Sequence, residues 1–246
     1  MNTFLRMALE YKKIPYRTVW LEYPELKPTM LSIGAKSGDT NPVDGSPVYT
    51  IPVILDEINL GPDGKPVPIT DSWLIAEYLD EKFPDRPLFP KGSKGLQWSF
   101  HETIIKIGIF GTISLIMPYI YGNLNETSQP HFRATRERYF TKPLTDTCPP
   151  KGSEEWDEIW KALEKAKSRI RIAGLDELAT SLDKNGLLAD NPYIMGDVFS
   201  YADIVAASSL YTLPIVHPTE WEKVREWNGG RWGQLLDKCS VLITQK

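Results

Sequence analysis

The chain has 246 residues, 41% of them hydrophobic and 24% charged, a balance that excludes intrinsic disorder and supplies a core for one large domain or two small ones. A net charge of −4 without a basic cluster argues against nucleic acid as the main partner. Two cysteines, Cys148 and Cys239, make no disulfide framework and point to a reducing, cytoplasmic setting; His101, His131 and His217 have no metal-ligand spacing, and no hydrophobic signal segment opens the chain.

Residues 2–13 place Phe4, Leu5, Ala8 and Leu9 on one face of an amphipathic helix, with Asn2 or Thr3 as its cap and Ile14-Pro15 as its stop. Residues 16–22 alternate, Val19 and Leu21 against Thr18 and Trp20, which predicts a strand. Pro24 opens a short helix through Ile33, and residues 34–47, rich in Gly, Pro, Asp and Ser, read as a loop.

Residues 49–79 hold the most informative pattern. A short apolar run (49–55) and a second one (67–73) flank a turn at Asp63-Gly64, and Leu74, Ile75, Tyr78 and Leu79 continue at helical spacing. Pro52 stands where a strand should begin, a place that tolerates a missing donor. A cis Ile51-Pro52 bond would turn the Ile51 amide and carbonyl outward, ready to pair with an extended peptide; the dipeptide alone favours an ordinary trans bond. Asp71-Ser72 is a helix cap by composition. It also suits an α-amino acid headgroup, because Ser72 and the free N–H groups can hold a carboxylate while Asp71 holds an ammonium.

Pro84, Pro87 and Pro90 form a stiff connector, which divides the chain into residues 1–87 and 88–246. Everything beyond it reads as helical. Residues 97–121 form one helix that ends near Pro118. Its apolar run, 104–120, is interrupted by Lys106, Thr112, Ser114 and Pro118 and falls short of the ~20 residues of a membrane span. Residues 131–140 form a charged helix, and 148–153 are a break. Residues 154–182 form one long amphipathic helix through Trp156, Ile159, Trp160, Leu163, Ile170, Leu178 and Leu182. Ser200 and Asp203 make a capping box ahead of Ile204, Val205 and Leu210, and two short helical pieces follow around 221–227 and 232–241.

This order, with Ile51-Pro52, Asp71-Ser72 and the Ser200…Asp203 box at these distances, resembles the soluble glutathione transferases over nearly the whole chain. Residues 71–87, 132–140 and 34–47 are similar to the bacterial lignin β-aryl etherases and the etherase-related fungal transferases. The resemblance implies an α/β plus all-α fold: a thioredoxin-like N-terminal domain over 1–87, lacking its first strand, and an all-helical domain over 88–246. It implies glutathione as co-substrate, with the Ile51 backbone ahead of cis-Pro52 pairing with its cysteinyl unit. Asp71 and Ser72 would hold its γ-glutamyl end. Lys36 is the nearest candidate for its glycyl carboxylate. Met117, Tyr119 and Tyr121 are candidates to line the site of a hydrophobic small molecule. The family opens with a strand and a loop carrying a catalytic hydroxyl ahead of an Asn-Thr pair. Asn2-Thr3 matches that pair, and the strand and serine are absent, so a truncated sequence is expected, with Thr3, Asn2 and the helix terminus left to stabilise a thiolate. The implied activity is transfer of glutathione to a hydrophobic or aromatic electrophile, in ether cleavage or detoxification. The alternative is a non-catalytic carrier or regulator on the same fold. A homodimer is carried over with the family.

Overall fold

The computed structural model describes residues 3–41, 45–165 and 174–244. Helix α1 (Thr3–Lys12) turns Phe4, Met7, Ala8 and Leu9 into the core at the expected helical spacing. Its last residue is buried too. The Lys12 ammonium lies 2.7 Å from Asp80 and donates to the carbonyls of Asp85 and Arg86. Asp80 in turn accepts from the Leu88 and Phe89 amides, each at 2.9 Å. A buried pair with this many additional partners is held against its desolvation penalty, and it clamps the proline connector onto α1.

The predicted strand at residues 16–22 does not form. Val19 is 66% and Trp20 69% exposed, and no described strand pairs with this segment. Alternation gives a chain two faces, but a strand also needs a neighbour to take its hydrogen bonds. A single turn of 3₁₀ helix at Tyr23–Glu25 leads into α2 (Leu26–Ser32). Within the predicted loop, β1 (Asp39–Thr40) and β2 (Pro47–Val48) close a small antiparallel ribbon. Strands β3 (Val53–Asp56) and β4 (Val67–Thr70) pair antiparallel, Val53 opposite Thr70 and Asp56 opposite Val67. The turn at Asp63-Gly64 uses a positive φ of 72° at Gly64. Helix α3 (Ser72–Lys82) follows β4 and buries Ile75, Ala76 and Leu79.

Helix α4 (Lys94–Gly122) is the longest and runs past Pro118 instead of stopping near it. The proline forfeits one intrahelical bond, and the last turn is closed beyond it by Asn123, whose amide and side-chain Nδ2 both donate to the Tyr119 carbonyl. The stretches 94–107 and 112–122 are inclined by 71°, and no single helix among the described residues is long and apolar enough to cross a membrane. Helix α5 (Gln129–Phe140) packs a smaller cluster of Met117, Phe132 and Leu144. The long helix expected over 154–182 is two: α6 (Glu154–Glu164) and α7 (Leu175–Leu182), with Ile170 outside the described residues. Lys165 turns to extended backbone, and the Gly174 amide donates to Glu177, which starts α7 afresh. A Cβ on Gly174 would sit 2.6 Å from the Glu164 carbonyl oxygen, so the break closes on itself where only glycine fits. Apolar periodicity does not register such a break.

Helix α8 (Tyr201–Leu210) is the centre of the helical half and is buried on nearly every side. Short helices α9 (Leu213–Val216) and α10 (Pro218–Val224) follow, and α11 (Trp227–Thr244) is broken at Asn228–Gly230, where φ is 53°, 70° and 81°. One continuous core joins α1, α3, α4, α7, α8 and α11. At its heart the Asp203 carboxylate accepts from the Ile194 amide (2.8 Å), the Ser200 amide (2.8 Å) and the Ser200 hydroxyl (2.9 Å). Burial pushes the Asp203 carboxyl up to about 7, with these hydrogen bonds working the other way.

Asp203→Ala strands buried donors on both sides of the α8 N-terminus. It is expected to lower stability in urea by about 3 kcal/mol, and a loss below about 1 kcal/mol would show that the box does not hold the core.

Candidate functional site

A cleft of about 380 Å³ lies between the first half of the chain and helices α4 and α8. Thr3, Pro52 and Ser72, far apart in sequence, share one wall. Two of them are the first residues of helices, so the N-termini of α1 and α3 both open at the cleft. Their dipoles make this wall attractive to negative charge. The Ile51-Pro52 bond is cis, Ile51 is 51% exposed, and its amide and carbonyl make no hydrogen bond to the described residues.

Asp71 caps α3, accepting at Oδ1 from the Trp73 amide (2.9 Å) and the Leu74 amide (3.1 Å). It does so at φ 76°, a conformation uncommon for a residue with a side chain and typical of functional sites. The β3–β4 hairpin is fixed to α3 behind the cleft. The Asp56 carboxylate, at the end of β3, accepts from the amides of Ile58 and Asn59 (2.8 Å each), the Asn59 side chain (2.9 Å) and the Tyr78 hydroxyl (2.9 Å). Partial burial would raise its pKa, but these hydrogen bonds win and hold it at about 2.

The opposite wall comes from the helical half. Ile113, Ile116 and Met117 of α4 make it apolar, and Thr112, Ser208, Ser209 and Thr212 add hydroxyls. Ser208 and Ser209 both donate to the Val205 carbonyl, at 3.0 and 2.9 Å. Their protons are used, so toward the cleft they offer acceptor lone pairs. His101 joins the two walls. Its Nδ1 lies 2.9 Å from the hydroxyl of the buried Tyr201. Burial lowers the His101 pKa, with Glu102 and Asp71 opposing, and burial raises that of Tyr201. Both shifts favour the neutral groups, the arrangement in which Tyr201 can donate and His101 Nδ1 accept. The Tyr201 ring also packs on Phe4 of α1, Trp73 of α3 and Phe89 of the connector, with centroids 5.4, 5.1 and 5.0 Å away.

Of the residues singled out from the sequence, Thr3, Pro52, Ser72 and Met117 line this cleft together, and Ile51 and Asp71 adjoin it in the chain. Asn2 lies outside the described residues. Lys36 is exposed and does not line the cleft. Tyr119 and Tyr121 do not line it either. Two residues on from Met117 is about 200° around a helix, which turns Tyr119 outward, where it is 40% exposed. Tyr121 returns to the Met117 side one turn farther along and packs with Phe132 and Leu144. Sequence reasoning missed His101, Tyr201 and the α8 hydroxyls. The capping box marked where Tyr201 stands. Ser208 and Ser209 had no signal beyond polar residues on an otherwise apolar helix.

Residues 95–242 match the family model described as Glutathione S-transferase, C-terminal domain, and residues 5–82 match that of Glutathione S-transferase, N-terminal domain. A glutathione S-transferase-like protein, ustS, of Aspergillus flavus is 28% identical over 235 residues, 94% of this chain and 79% of its own. Among solved structures, a glutathione S-transferase of Ceriporiopsis subvermispora in complex with glutathione matches with a TM-score of 0.83 at 30% identity, covering 99% of this chain and 90% of that one. A glutathione transferase of Phanerochaete chrysosporium matches at 0.82 and 28%, covering 97% and 88%.

The low Asp56 pKa makes a signed prediction. A carboxylate at about 2 in the folded chain and 3.8 as reference stabilises fully above the reference value, and that contribution is lost as pH falls through about 2. Asp56→Asn is therefore expected to flatten the fall in melting temperature between pH ~4 and ~2. An unchanged acid limb would show that Asp56 is not held this way.

Proposed function

Because the chain belongs to the glutathione S-transferase family, we propose that it holds glutathione along Ile51, Pro52, Asp71 and Ser72 and transfers its sulfur to a hydrophobic electrophile. The observation that carries this reading is the meeting of Thr3, Pro52 and Ser72 at two helix N-termini, opposite the apolar wall of Ile113, Ile116 and Met117. The free Ile51 amide and carbonyl suit the backbone of an extended peptide, strand to strand. The α3 N-terminus and Ser72 suit an α-carboxylate, and the second oxygen of Asp71 suits an α-ammonium.

A thiol with a pKa of ~8.5 is mostly protonated at pH 7, so transfer needs help at sulfur. Thr3, at the start of α1, is the hydroxyl that stands where the helix dipole also favours an anion. Met117 and its isoleucine neighbours then suit an aromatic or otherwise apolar partner for the sulfur. The finer reading, an etherase-like transferase that cleaves aryl ethers or detoxifies such compounds, rests on the similarity of residues 71–87 to that branch. The reading takes residues 1–87 as the glutathione-holding domain and 88–246 as the electrophile-holding one, in a cytoplasmic homodimer.

Ser72→Ala is expected to weaken glutathione binding by about 10- to 100-fold in calorimetry; an unchanged Kd would sink the assignment. Thr3→Ala is expected to leave that Kd in place while slowing conjugation by about 10- to 100-fold and removing the ultraviolet absorbance of the bound thiolate. Full turnover in Thr3→Ala would take Thr3 out of the chemistry, and glutathione binding without turnover in the unmodified chain would identify a carrier.

A further inference from the structure

Among the described residues that line the cleft there is no lysine or arginine, and His101 is the one side chain able to become cationic. It is the first residue of α4 on that wall, with the apolar Ile113, Ile116 and Met117 farther along the helix. Its half-buried ring is tied to the start of α3. The ring of Trp73, the residue after Ser72, meets it edge-on with centroids 6.3 Å apart, and Trp98 stacks on it at 5.5 Å and 13°. The two ring nitrogens are not equivalent. Nδ1 meets the hydroxyl of the buried Tyr201 at 2.9 Å. A hydroxyl donating there leaves the proton of a neutral imidazole on Nε2. Nε2 has no hydrogen-bond partner among the described residues, and unlike the unpartnered nitrogens of Gln97, Trp160 and Arg231 it is open to solvent. With one nitrogen committed to Tyr201 and one ring face covered by Trp98, the edge that carries Nε2 is what His101 has to offer the cleft.

A carboxylate entering a cleft without lysine or arginine must replace its water with hydrogen-bond donors, and Ser208 and Ser209 have given theirs to Val205. Resting on the reading of this cleft as the glutathione site, we propose that His101 is a further glutathione ligand: its Nε2–H donates to the γ-glutamyl α-carboxylate from α4, while Ser72 holds the same group from α3, and Tyr201 is the positioning residue that keeps the proton on Nε2. A carboxylate at Nε2 favours the imidazolium. Burial lowers the His101 pKa in the free chain, against the pull of Glu102 on its own helix and Asp71 ahead of α3. Binding is therefore expected to raise that pKa, and to tighten as pH falls through the raised value.

The test uses the full chain with isotopically labelled histidine, the His101 signal being the one lost in His101→Phe. Its pKa is followed by NMR with saturating glutathione and with the analogue whose γ-glutamyl unit is replaced by γ-aminobutyryl, which lacks only the α-carboxylate. Glutathione is expected to raise the His101 pKa and the analogue to leave it in place. His101→Phe, which keeps a ring against Trp98, is expected to weaken glutathione about ten-fold and to leave the affinity for the analogue unchanged. Tyr201→Phe keeps the aromatic packing and is expected to let the proton redistribute between Nδ1 and Nε2, read from the nitrogen chemical shifts. A His101 pKa that glutathione does not move, or that the analogue raises equally, overturns the proposal, as does an unchanged glutathione Kd in His101→Phe. An unaltered Nε2–H form in Tyr201→Phe overturns the role given to Tyr201. If Ser72→Ala weakens glutathione in the same assay while His101→Phe does not, the glutathione reading stands without His101; a chain that binds no glutathione overturns both.

Discussion

The first turn of α8 is the constraint on which the rest depends. The Asp203 side chain is fully buried, and burial drives it toward its neutral form. It is kept by three donors, and those donors define the geometry around it: the Ser200 amide and hydroxyl set where α8 begins, and the Ile194 amide sets where the preceding loop must lie. The neighbouring residues extend the same node. The Tyr201 amide donates to the Leu88 carbonyl at 2.7 Å, and the Ala202 amide to Gln97 of α4. Three consecutive backbone amides thus fix α8 to itself, to the connector and to α4.

The Tyr201 side chain carries that order into the first half of the chain. Its ring meets Phe4 and Trp73, one turn or less from the residues of α1 and α3 that line the cleft, and its hydroxyl meets His101. Aromatic pairs contribute ~0.5–1.5 kcal/mol each beyond the area they bury, so this cluster outweighs exposed ion pairs such as Arg17–Glu57, which are worth little in water. Lys12–Asp80 acts at the same joint from the other side. A smaller tie closes the far edge, where Glu22 accepts from Ser128 and Asn125 ahead of α5. The cleft is therefore not a gap left between two independent bodies; its walls are set by the contacts that join them.

How much of this could be read from sequence depends on whether the signal was local. The Asp71 and Ser200…Asp203 caps, the Asp63-Gly64 turn and the stop of α1 ahead of Ile14-Pro15 were legible because each is decided within four residues. Residues 16–22 show the opposite case: Val19 and Leu21 alternate with Thr18 and Trp20, yet a strand is a property of two segments, and no described partner lies alongside. The 154–182 pattern failed for a related reason, since the apolar spacing survives a chain break that Gly174 makes possible. Thr3, Pro52 and Ser72 were found because each carries its own local mark. Ser208 and Ser209 were not, because their relevance comes only from the face that α8 turns to α4.

That difference also explains where local rules are broken. A non-glycine residue at φ 76° immediately before a helix should be selected against unless the geometry is needed. At Asp71 it lets one carboxylate oxygen satisfy two amides of α3 while the second has no partner among the described residues, and it brings Ser72 to the cleft at the start of the helix. A relaxed cap would serve α3 equally well, since capping needs only an acceptor in reach of those amides. The distortion is explained by the cleft and not by the helix. The Asp56 clamp behind it, which binds the hairpin to Tyr78 of the same helix, is the rigid support such a conformation requires.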